Sequence, residues 1–211
     1  MVKNSDEKNN HTGFSLVELM VVLAIFAIVM SIILNDAPKF RDKTSLDLVS
    51  QNIALNIRGA QVFSIGTKII ENDAPQSFGI HLNSGEQSNF ILFSNSNSSD
   101  DFYSGGSFPT QCPSEGDECL ELYRLRGAII EKICFDDVCV DDDDNRLIEI
   151  LYTRPQSEAN FCVRTNYVSS SCDNSPSSVR LYITNTRGSE RRLITAWKNG
   201  QITVETPPDD Q

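Results

Sequence analysis

Few side chains in this 211-residue chain have the type and spacing to carry out chemistry. Histidine occurs twice, as His11 and His81, and a serine run, Ser169 to Ser171, sits beside Cys172. A hydrolytic triad or a zinc site needs an imidazole close to a nucleophile or to further ligands, and these spacings pair none. His81 lies in the stretch FGIHL and reads as an ordinary strand residue, and the serine run reads as loop. Asp141, Asp142, Asp143 and Asp144, next to Asn145 and near Asp136 and Asp137, offer the hard oxygen ligands that calcium prefers. The alternation and glycine of an EF-hand loop are missing, and a consecutive aspartate run is usually a solvated turn. These four are weak calcium candidates; no other cofactor and no catalytic residue is expected.

The thiols carry more information. Cys112, Cys119, Cys134, Cys139, Cys162 and Cys172 all lie in the C-terminal half, without a C-x-x-C spacing for zinc, and their even number suits an oxidising compartment. Six cysteines allow fifteen pairings, and pairing of sequence neighbours is the simplest of them. Cys134 and Cys139 differ by an odd number, so a bridge between them requires Phe135 to Val138 to turn.

One carboxylate stands where a charge is costly. Phe14 to Leu34 is apolar apart from Ser15, Glu18 and Ser31, and as a helix rising about 1.5 Å per residue it matches the roughly 30 Å hydrocarbon core of a bilayer. A helix of a soluble core would show a polar stripe. A cleavable secretory signal has an apolar region of only about 7 to 15 residues and a small-x-small site, which SIILNDAP lacks. Glu18 lies one turn inside this span, where it must snorkel to the interface or find a cationic partner.

The string Gly13-Phe14-Ser15-Leu16-Val17-Glu18 followed by an apolar helix resembles the class III signal of type IV pilins and type II secretion pseudopilins. The resemblance implies cleavage between Gly13 and Phe14 by a prepilin peptidase and N-methylation of Phe14. Glu18 then becomes the assembly glutamate, whose carboxylate can pair with the new Phe14 amine of its own or an adjacent subunit. Glycine at the junction lets extended backbone enter a narrow protease cleft. Implied partners are the peptidase, other pilin or pseudopilin subunits, the inner-membrane assembly platform and the membrane itself.

The remaining elements must carry a head on this stalk. Asn35 to Pro38 predicts a kink or short break, after which Leu46, Val49, Ile53, Ile57, Ala60 and Ser64 form one apolar or small helical face. Lys43, Asp47, Asn52 and Gln61 are then free to face water, and Gly66 is a fitting stop. From about Thr67 the period becomes strand-like, with candidates at 77–82, 89–93, 120–125, 128–135, 147–153, 160–164, 179–185, 192–197 and 201–205. Lys198-Asn199-Gly200 reads as a hairpin turn, and Ser94 to Glu118 as a long loop. The expected fold class is α+β and pilin-like, a long N-terminal hydrophobic helix followed by an antiparallel sheet or sandwich head. Its parts are a leader at 1–13, a transmembrane and assembly helix at 14–34, an amphipathic helix at 35–66, a β-rich head at 67–205 and a tail at 206–211.

The order NIRGAQVFSIG, FGIHL, NFILFSNSNSSDDFY, ELYRLRGAIIEKI and Arg154-Pro155 looks like the H-type (GspH and FimT) minor pseudopilins and minor pilins, although six cysteines depart from that group. The net charge of -11, from 18 Lys and Arg against 29 Asp and Glu, disfavours nucleic-acid binding. Lys3 and Lys8 precede the span while Lys39, Arg41 and Lys43 follow it, which opposes a positive-inside reading. Thiol usage and the pilin resemblance instead favour a single-pass protein of the bacterial inner membrane, N-terminus cytoplasmic and head outside, entering an envelope filament. The expected work is structural. The alternative is a membrane-anchored extracellular binding module or enzyme that uses the helix only as an anchor.

Overall fold

The computed structural model describes residues 15–66, 75–95, 102–104, 108–109, 112, 118–140, 146–165, 169–173 and 176–208. It is α+β: one long helix, α1 (Leu16–Ile65), and two antiparallel sheets. The chain divides into two units, Met1–Arg41 and Asp42–Gln211. In the first, every side chain of α1 from Leu16 to Leu34 is exposed. Pro38 predicts a break, but α1 is unbroken through 35–38. A proline removes one donor and crowds one carbonyl, a cost of about 3 kcal/mol that the long flanking helical turns outweigh.

In the second unit α1 ends where Gly66 N–H donates to Val62 O at 2.8 Å. Leu46, Ser50, Ile53, Ile57, Ala60 and Ser64 are its buried face, spaced alternately by four and three residues. Ser50 takes a buried place that spacing alone assigns to Val49, which is half-buried, and its hydroxyl is satisfied by donating to Leu46 O at 2.8 Å. Each large aliphatic side chain on this face stabilises the unit by roughly 1.5–3 kcal/mol. Asp47 and Gln61 are not simply facing water. Asp47 forms an ion pair with Arg192, and Gln61 Nε2 donates to Ser157 O at 3.1 Å and to Gly200 O at 3.3 Å.

The strands are β1 (Ser77–Asn83), β2 (Asn89–Asn95), β3 (Cys119–Arg124), β4 (Ala128–Phe135), β5 (Val138–Val140), β6 (Arg146–Thr153), β7 (Ala159–Thr165), β8 (Ser169–Asp173), β9 (Ser178–Asn185), β10 (Arg191–Trp197) and β11 (Ile202–Glu205). One sheet has the order β3-β2-β1-β6-β7-β8 and the other β11-β10-β9-β4-β5. Alternate residues of both sheets, among them Phe78, Ile80, Ile150, Phe161, Leu181 and Ile194, join Ile53 and Ile57 of α1 in one core. The β10–β11 hairpin closes on Gly200, whose φ of 84° only glycine adopts without strain.

Two strands depart from the sequence expectation. The serine run read as loop is part of β8, in register with β7 as Cys162↔Cys172, where the disulfide and the ladder outweigh the poor strand propensity of serine. The three-residue β5 is too short to show a period; it pairs with β4 through Cys134↔Cys139. Thr206 to Pro208 are irregular, and residues 209–211 of the expected tail lie outside the described residues.

Candidate functional site

The N-terminal site is built on the first turns of α1. Ser15 O accepts the first helical bond, from Leu19 N–H at 3.2 Å, and Glu18 is the acidic residue of the first turn, where the helix dipole favours a negative charge. Glu18 is exposed, and so are its neighbours Leu16, Val17, Leu19 and Met20. The most apolar 18-residue window of α1 has a mean hydropathy of 2.9, and none of it is buried within the chain. Such a surface in water is unfavourable by roughly 25 cal/mol per Å², so it must be covered by lipid or by other subunits. Gly13 and Phe14 lie outside the described residues, as do Asp141, Asp142, Asp143 and Asp144. Among the described residues no group of three or more His, Cys, Asp or Glu side chains could hold a metal ion.

The structure pairs the thiols as sequence neighbours: Cys112 with Cys119, Cys134 with Cys139 and Cys162 with Cys172. The turn needed by the middle pair is present at Asp136-Asp137, with Asp136 at a φ of 50°. Burial pushes the Asp136 carboxyl up, but donors from Ser177 and Ser178, two backbone and two hydroxyl, hold it below its ordinary value.

A polar cluster that sequence reasoning missed lies on the outer face of the six-stranded sheet. His81 on β1, Glu149 on β6 and Arg164 on β7 converge there, and the first two are each 1% exposed. Glu149 Oε1 accepts from Arg164 Nη2 at 3.0 Å and from Tyr103 N–H at 3.2 Å, and His81 Nδ1 lies 3.2 Å from it. Arg164 Nη2 also donates to Tyr103 O at 2.7 Å, and the guanidinium stacks 4.2 Å from the Phe102 ring centroid. Beside it on the same face Ile91, Phe93, Tyr103, Cys119 and Leu151 form a second, smaller apolar cluster. The buried acid was signalled by RLIEILYT, in which Glu149 interrupts an apolar strand on both faces. Burial also raises the Tyr152 hydroxyl far above its ordinary value.

Comparison with known proteins bears on the N-terminal site. Residues 8–34 match the family described as the prokaryotic N-terminal methylation motif. This match spans the Gly13-Phe14 junction and Glu18, and with the uncovered apolar helix it supports a single-pass membrane anchor processed in the manner of a pilin or pseudopilin. No curated protein and no solved structure matches the chain.

Proposed function

We propose that this chain is a minor pilin or pseudopilin, most like the H-type, that a prepilin peptidase cuts between Gly13 and Phe14 and methylates on the Phe14 amine. The observation carrying this reading is the methylation-motif match over residues 8–34. It overlaps the segment of α1 from Leu16 to Leu34, whose side chains are exposed. The work is structural: a helix extracted from the bilayer packs among other subunits, held by an assembly platform. The three disulfides support a head on the oxidising side of the membrane and a cytoplasmic N-terminus.

Glu18 makes the assembly selective. In a lipid surround its charge is costly, whereas among packed helices it is compensated by the amine of Phe14. Glu18→Ala should leave synthesis, insertion and cleavage intact. It should remove a pair whose loss costs about 3–5 kcal/mol, more than a hundredfold in association. Crosslinking to neighbouring subunits and entry into sheared filament fractions should fall accordingly. Wild-type crosslinking by the variant refutes the pairing.

A further inference from the structure

We infer that Lys39 and Arg41, with Phe40 between them, form a cationic collar that binds the anionic phospholipid headgroups of the leaflet from which the head emerges. The inference rests on reading Phe14 to Leu34 as a membrane span. On an unbroken α1, Lys39 and Arg41 follow Leu34 by about 7.5 and 10.5 Å of helical rise. A bilayer of about 40–45 Å with a 30 Å hydrocarbon core has a polar layer of roughly 5–7.5 Å on each side, so Lys39 falls at its outer boundary and Arg41 about 3 Å or more beyond it, from where their flexible stems can reach back into it.

All three side chains are exposed, Phe40 to 72%. At 100° per residue Lys39 and Arg41 point about 200° apart around the helix axis, so the charge surrounds the helix and does not form a stripe for one partner. The nearby acid Asp42 is held in an ion pair with Arg187, while Asp36 offsets one charge and Lys43 adds another. From residue 66 onward the chain carries 12 Lys and Arg against 23 Asp and Glu. An anionic membrane surface repels that excess of acid, whereas it attracts the collar. These cations also stand after the span, the side on which the positive-inside rule does not call for them, so topology alone does not explain them.

The test uses the full chain reconstituted in phosphatidylcholine vesicles doped with spin-labelled phosphatidylglycerol or spin-labelled phosphatidylcholine. At about 0.1 M salt the motionally restricted lipid should favour phosphatidylglycerol roughly fivefold, the factor expected of one interfacial cation. The preference should approach parity in the Lys39→Gln, Arg41→Gln pair and at about 1 M salt, and persist in the Lys3→Gln, Lys8→Gln pair. Equal restriction of the two lipids by the wild-type chain overturns the collar, as does a preference undiminished in Lys39→Gln, Arg41→Gln. Resistance to alkaline carbonate extraction, measured on the same vesicles, keeps the two readings apart. A chain that carbonate removes refutes the span and the collar together, whereas a resistant chain without lipid preference refutes the collar alone.

Discussion

Removing the Glu149 carboxylate should be among the most damaging single changes in the head. Glu149→Ala leaves the Arg164 guanidinium, 12% exposed, with Tyr103 O and the Phe102 ring but without the Glu149 carboxylate. Arginine does not deprotonate to escape, Tyr103 N–H loses its acceptor and His81 Nδ1 loses its partner. Breaking one side of a buried pair costs about 3–5 kcal/mol, which for a unit of this size is a fall in Tm of roughly 6–20 °C. Glu149→Gln keeps the volume and an acceptor, so only the charge-assisted part is lost, about 1–2 kcal/mol. Glu149→Leu combined with Arg164→Met should recover much of the loss, because no charge is stranded. Urea unfolding of the 42–211 fragment, which holds the two-sheet core, can be followed through Trp197, the only tryptophan. A cost below about 1 kcal/mol for Glu149→Ala, or a double variant no more stable than the single, refutes the argument.

Gly200→Ala should destabilise the head by roughly 2 kcal/mol or more, since an alanine there would adopt a left-handed backbone and its Cβ would come within 2.2 Å of Gln61 Nε2. Gly188→Ala, with positive φ but nothing within 4 Å, should cost about 1 kcal/mol, and thermal melts of the two variants isolate the contact. Asp136 has a folded pKa below its ordinary value of 3.8. Its contribution to stability is therefore present above that value and lost as pH falls through the lower folded one. Asp136→Asn should flatten the acid limb of a urea-midpoint curve, and an unchanged limb would show that the Ser177 and Ser178 donors do not favour the ionised form.

Much of the head is legible because its strands alternate and its turns use specific chemistry. Phe78, Ile80 and Leu82 point to the core every second residue, and Asn199-Gly200 marks the last hairpin. Neighbour pairing of the cysteines is readable once Asp136-Asp137 is seen to turn. The misses arise where pairing and packing partners, not the local residue pattern, decide the structure. β8 is serine-rich and becomes a strand by pairing with β7. His81 reads as an ordinary strand residue and lies on β1, but its burial depends on an aromatic cover, Tyr103 and Phe108, from a segment with no strand period. The Glu149 cluster spans 68 residues between His81 and its carboxylate, which no local pattern reveals. Asp47 and Gln61 have polar side chains that suit water, but the hairpins opposite supply Arg192 and Gly200 O. In the N-terminal site the order is reversed: Gly13, Phe14 and Glu18 fall within one six-residue string, so the motif is readable directly.

The proposed function turns on processing of this chain by a prepilin peptidase at the Gly13-Phe14 junction. Coexpression of the full chain with such an enzyme, followed by intact mass measurement and N-terminal sequencing of the membrane fraction, tests it directly. The expected result is loss of the first 13 residues and N-methylphenylalanine at the new terminus, with a bulky substitution of Gly13 leaving uncut precursor. An uncut wild-type chain in the presence of active peptidase, cleavage at another bond, or normal processing of the Gly13 variant would contradict it.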